Sequence, residues 1–169
     1  IVACLVGSEM CIRDRDYIEQ GSELDWAVFG KKLAQLHLIE GKFFGLDHDN
    51  YIGSLEQGNQ ECGAWSEFYT NHRLIALTAK ARDQGLFEKK HCNWVEKLCQ
   101  RLDELIPACK PSLIHGDLWS GNLLIDTSGH PVLIDPAVYY GHPEMDWAML
   151  SLFGSYPVEA LDHYQNLHP

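Results

Sequence analysis

Apolar positions recur with a helical period over most of the chain. Trp26, Phe29, Leu33 and Leu36 follow Ser22, a capping residue type with Glu23 and Asp25 in the turn after it, and Gly41 supplies a stop. A second helix is predicted over 64–81, with Trp65, Phe68, His72, Ile75 and Ala79 on one face, until Gly85 breaks the pattern. A third, over 87–106, carries Trp94, Leu98, Leu102 and Leu105 and ends before Pro107. Its Cys92 and Cys99 share part of a face and are expected to be core thiols. A fourth covers 144–153, and Pro157 opens a fifth. Residues 43–59 have no period and are rich in Gly, Asp and Asn, so they read as a loop. The strand-like pattern is confined to the runs Leu123–Ile125 and Val132–Ile134, joined by a turn-rich segment into a β-hairpin, with the short run Leu113-Ile114 before it. The class is α+β: mainly helical, with one small hairpin.

Each of these three short runs has a polar residue at its mouth. His115-Gly116-Asp117 ends the first, Asn122 begins the second and Asp135 ends the third. Folding the hairpin brings Asn122 level with Asp135, and Asp117 sits on the loop just before. Phosphoryl transfer needs a carboxylate beside the attacking hydroxyl, and a carboxylate and an amide to hold a metal on the phosphates. Kinases space the base and the metal-binding asparagine as D-x-x-x-x-N, with the second metal-binding Asp on the next hairpin. Asp117, Asn122 and Asp135 follow that plan, and Mg²⁺ needs few protein oxygens when phosphates supply the rest. A lone Asp at a strand end is usually a turn residue; three such residues in this order make a plain hairpin a poor explanation.

The wording HGDLWSGN, followed by IDPAVYYGHPEMDWAM, resembles the fructosamine kinase (ketosamine-3-kinase) family, which shares the aminoglycoside phosphotransferase and protein-kinase-like fold. The resemblance extends from about Asp16 to the C-terminus. It implies the mainly helical C-terminal lobe of a kinase-like fold and ATP- and Mg²⁺-dependent phosphorylation of a sugar hydroxyl on a ketosamine: a fructosamine, ribulosamine or erythrulosamine. It makes Asp117 the base and Asn122 and Asp135 the metal residues. It makes Asp146 a buried brace for the catalytic loop and His115 a residue that holds that loop by hydrogen bonding. Residues 16–21 resemble the hinge between lobes, where the backbone of Tyr17, Ile18 and Glu19 would meet adenine. His37 lies in a run that resembles a family helix, where packing or capping is its expected part. The segment DNYIGS resembles one peculiar to this family, which makes Asp49, Asn50 and Tyr51 candidates for the sugar pocket against a plain surface loop. Trp119 would wall that pocket or pack beneath the loop. An ordinary Asp pKa of about 3.9 would serve Asp117 without special tuning.

The chain has 169 residues, enough for about one domain. Its net charge of −11 and pI near 5.1 argue against nucleic acid or an anionic membrane as partner. No run of 18 apolar residues occurs. The six cysteines show no CxxC spacing and suit reduced thiols in the cytoplasm. Oligomeric state is not legible. The opening residues 1–15 fit no signal peptide, and LVGSEMCIRD resembles a translated frame of a transposon-derived sequencing adapter, so this segment is expected to be foreign to the protein. Before residue 80 the lysines are Lys31, Lys32 and Lys42, all after the hinge. No glycine-rich strand pair with a phosphate-binding lysine can be placed, so residues 16–169 are expected to be a lobe incomplete at both ends and inactive alone. Three rivals remain: an aminoglycoside- or choline-type phosphotransferase, a non-catalytic kinase-like binding module, and, more weakly, a metal-dependent hydrolase using His115 and Asp117.

Overall fold

A computed structural model describes residues 17–168. The segment expected to be foreign lies outside the described residues. The first helix, α1 (Trp26–His37), begins later than Ser22: Asp25 is the cap, its carboxylate accepting from the Val28 N–H at 2.9 Å. Ser22 sits instead in a bend held to the hairpin over 123–133, where Gly21 N donates to the Ile125 carbonyl and Asp25 N to that of Gly129. The segment read as a loop contains a second hairpin, β1 (Asn50–Ile52) with β2 (Leu55–Gln57), turned by Gly53-Ser54. The expected helix over 64–81 is three pieces: α2 (Trp65–Tyr69), a π-helical turn (Thr70–Ile75) and α3 (Ala76–Asp83). The wider turn changes which residues face inward. Arg73, five after Phe68, is buried and stands 4.7 Å over the Phe68 ring, while Ile75 is exposed.

The helix expected over 87–106 also breaks, into α4 (Lys89–Cys99) and α5 (Leu102–Leu105). Only Leu102 of its apolar stripe is buried; Trp94, Leu98 and Leu105 are exposed, and Cys92 and Cys99 are half-buried rather than core. Strand β3 (Ser112–Ile114) pairs antiparallel with β6 (Tyr139–Gly141), and β4 (Leu123–Ile125) with β5 (Pro131–Leu133). Helices α6 (Glu144–Leu152) and α7 (Val158–Gln165) complete the fold.

Two apolar clusters carry these elements. Phe29, Leu33 and Ala34 of α1 pack with Leu118, with Trp147 and Leu150 of α6, and with Ala160 and Tyr164 of α7. Phe44, Cys62, Trp65, Phe68, Ile114 and Tyr139 form the second, on the other side of β3. Ile114 and Leu118, fully buried at either end of the His115–Asp117 turn, anchor one end of it in each cluster. The His-Gly-Asp turn is therefore bolted to both halves of the core. Among the described residues, no helix is long and apolar enough to cross a membrane.

Candidate active site

The His-Gly-Asp turn is fixed by a carboxylate beneath it. Asp146, on α6 and 1% exposed, accepts from the backbone N–H of His115 at 2.7 Å and of Gly116 at 2.9 Å. The same carboxylate meets His37 Nε2 at 3.1 Å, and His37 Nδ1 lies 2.8 Å from the Tyr164 hydroxyl. A neutral His37 with its proton on Nε2 satisfies every contact, donating to Asp146 and accepting from Tyr164. His37 thus links α1, α6 and α7 to the motif, a position its place in an apolar helix face does not announce.

Gly116 adopts φ +80°, and a Cβ there would lie 2.2 Å from the Ala137 carbonyl oxygen, so glycine is required for both conformation and space. His115 stands above the turn. Its Nδ1 accepts from the Asp117 N–H at 3.3 Å, which leaves Nε2 to donate to the Ile134 carbonyl at 3.0 Å. Burial holds its pKa below the usual 6.5, in keeping with a neutral ring. Both nitrogens are committed to structure.

Asp117, Asn122 and Asp135 come together as the spacing predicts. The Asn122 amide nitrogen donates to the Asp117 carboxylate and to the Asp117 carbonyl, both at 2.9 Å. Ile134 N donates to the Asn122 carbonyl at 3.0 Å, which brings Asp135 alongside. Asp135 itself adopts φ +49°, a left-handed conformation that costs a non-glycine residue energy and clusters at functional sites. Asp117 is not the ordinary carboxylate expected: burial raises its pKa above 3.8, against the lowering effect of the Asn122 hydrogen bond and His115.

These three residues line a cavity of about 290 Å³ together with Trp119, Tyr51, Ile52, Pro136 and Ala137. A larger groove of about 700 Å³ lies against α6 and α7, but it is lined by residues such as Ile106, Met145 and Leu161 and holds none of the motif. Trp119 is 40% exposed, with its ring 6.2 Å from that of Phe153 and against Gly121, where a Cβ would come within 2.3 Å of the indole. No described lysine or arginine lines the motif cavity.

The β1–β2 hairpin delivers Tyr51 to this cavity, while Asp49 and Asn50 do not line it. Asn50 instead donates to the Val138 carbonyl at 2.8 Å and accepts from Gln57 and Asn59, each at 2.9 Å. Asp49 accepts from the Asn59 N–H at 2.7 Å. Asn59 is fully buried and accepts from Arg73 at 2.7 Å. The sequence did not assign Gln57 or Asn59 individually to the site, and Arg73, whose FYTNHRL run resembles a family motif and suggested an acidic partner, bonds neutral oxygens instead. A two-residue Gly-Ser turn between Ile52 and Leu55 is the signal that could have exposed the hairpin they hold. The hinge candidates Tyr17, Ile18 and Glu19 run toward the outer edge of the β4–β5 hairpin, where Gln20 bridges Asp126, and the Tyr17 side chain is 89% exposed.

The family model for fructosamine kinase matches residues 15–169. The chain belongs to the fructosamine kinase family. A chain named a probable ketoamine kinase in Lactiplantibacillus plantarum is 40% identical over 156 residues, which span 86% of this chain and 56% of that one. The chloroplastic protein-ribulosamine 3-kinase of Oryza sativa subsp. japonica is 38% identical over 143 residues, or 79% of this chain and 40% of that one. A crystal structure assigned as a fructosamine-3-kinase from Thermobifida fusca superposes with a TM-score of 0.85 at 36% identity, covering 90% of this chain and 54% of the other. The fold is therefore the kinase-like α+β fold of the fructosamine kinases, and this chain spans about half the length of the curated relatives it matches.

Proposed function

We propose that the protein containing this chain transfers the terminal phosphoryl group of ATP to a sugar hydroxyl of a ketosamine. The observation that carries the proposal is the Asp117 carboxylate, half-buried and held by Asn122 in the motif cavity that Asp135 also lines. Asp117 accepts the proton of the attacking hydroxyl. Its raised pKa makes it a better acceptor than an exposed carboxylate, and Asn122 fixes which oxygen faces the sugar.

Asn122 and Asp135 fit a magnesium ion. The Asn122 nitrogen is engaged with Asp117, so its amide oxygen is the atom left for a cation, beside the Asp135 carboxylate. No cluster of three His, Cys, Asp or Glu side chains suited to a metal occurs among the described residues, and an oxygen pair supplemented by phosphates and water suits Mg²⁺. Bound there, the ion supplies charge neutralisation on the phosphates. The backbone of Tyr17–Glu19 takes the adenine edge, and Tyr51 and Trp119 flank the sugar. The four described cysteines are free thiols, which suits a reducing compartment such as the cytoplasm.

The test is ADP release by the whole protein with ribulose-, erythrulose- and fructose-lysine, against an aminoglycoside and choline. Turnover on a ketosamine supports the proposal and names the sugar. Turnover confined to the aminoglycoside or choline keeps the catalytic residues and refutes the substrate. ATP binding without any turnover favours a binding module.

A further inference from the structure

A second cavity, of about 210 Å³, lies behind the β1–β2 hairpin, between it and the π-helical turn and α3. Ile52 lines both this cavity and the one that holds Asp117, so the two are neighbours across one side chain. Its charged lining is mixed: Arg73 and Lys80 on one side, with His72, and Asp49 and Glu56 on the other.

Arg73 is the unusual member. It is 7% exposed, and its three hydrogen bonds all go to neutral oxygens: the carbonyls of Gly58 at 2.6 Å and His72 at 3.1 Å, and the Asn59 side chain at 2.7 Å. Its Nε is buried and has no hydrogen-bond partner among the described residues. With only neutral oxygens as hydrogen-bond acceptors, the guanidinium places a positive charge behind the cavity wall that favours an anion in front of it. Lys80 is tethered at the rim, its Nζ donating to the Glu56 carbonyl at 3.1 Å. The Glu56 side chain is exposed beside it and offers a carboxylate to a cation.

We infer that this cavity binds the α-carboxylate and α-ammonium of a free glycated amino acid whose sugar occupies the Asp117 cavity. Lys80 takes the carboxylate, with the buried Arg73 guanidinium adding positive charge behind the cavity wall; Glu56 and Asp49 take the ammonium. A mixed-charge pocket one residue away from the reacting hydroxyl matches a zwitterionic head group at the far end of an amine-linked sugar. A glycated lysine within a protein has neither charge, because both groups are in peptide bonds. The inference rests on the proposed ketosamine kinase activity and adds which part of the substrate is recognised.

The experiment compares kcat/KM of the whole protein for Nε-ribulosyl-lysine and for the same compound capped as its Nα-acetyl N-methylamide. The free form is expected to be preferred by about tenfold, the product of two contacts in the range measured for partly exposed ion pairs. Lys80→Gln and Glu56→Gln, both at exposed positions, should each raise KM for the free form by a few-fold, leave kcat alone and leave the capped form unchanged. Equal kcat/KM for the two forms, or a preference unaltered in both variants, overturns the inference while leaving the kinase activity standing. Turnover of neither form refutes the activity and the inference with it.

Discussion

Replacing Asp146 by Asn tests the brace beneath the catalytic turn. The carboxylate accepts from two backbone N–H groups, those of His115 and Gly116, and from His37. Asparagine has the same shape but one oxygen and one NH₂. If the NH₂ replaces one oxygen it faces the His115 N–H; if it replaces the other it faces the Gly116 N–H. His37 can accommodate an NH₂ by moving its proton to Nδ1, but the backbone donors cannot change. One buried N–H is therefore left unpaired in either orientation, and charge assistance is lost from the remaining bond. An unsatisfied buried donor costs about 1–3 kcal/mol and a hydrogen bond to a charged group contributes about 1.5–3 kcal/mol, so a destabilisation of about 3 kcal/mol is expected. For a chain of this size that corresponds to a drop of roughly 6–12 °C in Tm. Thermal unfolding of the 169-residue chain, followed by near-ultraviolet circular dichroism at neutral pH, measures it. A Tm within about 1 °C of the parent would refute the reasoning, because Asp146 would then not be holding the turn.

Gly116→Ala combines a disfavoured φ with a Cβ 2.2 Å from the Ala137 carbonyl, and should cost at least about 2 kcal/mol in a denaturant titration. Gly121→Ala would push the half-exposed Trp119 ring out of the motif cavity. KM for the ketosamine should rise by roughly tenfold with Tm little changed, and an unaltered KM would remove Trp119 from the sugar pocket. His115 predicts a pH effect: its folded pKa lies below 6.5, so between these values the unfolded chain binds the extra proton. Unfolding free energy should then fall as pH is lowered from about 6.5 through the depressed folded pKa, and His115→Asn should flatten that slope in urea titrations across the range. Burial shifts Asp117 the other way, so the acid limb of kcat/KM should lie above the 3.8 of an unperturbed carboxylate.

The convergence of the three candidate residues was legible because it is local. Asp117, Asn122 and Asp135 fall within 19 residues, and the hairpin that aligns them has its own turn chemistry. The helices α1, α6 and α7 were legible from local signals too: α1 from its apolar spacing and α7 from the proline that opens it. What was not legible depends on contacts between distant segments. The π-helical turn shifts the buried face so that Arg73 turns inward, and its partners Gly58 and Asn59 come from a stretch without any period. Asn50 was a candidate for the sugar pocket because its segment resembles one peculiar to the family. Its amide is instead committed to Val138, Gln57 and Asn59, and Tyr51 next to it lines the cavity. The raised pKa of Asp117 follows from burial, which spacing along a sequence does not report.

The central claim is that Asp117 takes the proton of a ketosamine hydroxyl during phosphoryl transfer. Its most direct test is kcat of Asp117→Asn in the whole protein, with the preferred ketosamine and saturating Mg-ATP. The account predicts a loss of about 10²–10⁴-fold, with Tm and ATP affinity close to those of the parent, because Asn122 can still donate to the amide oxygen at position 117. A kcat within a factor of about three of the parent would contradict it, since that loss falls far below what a lost general base produces.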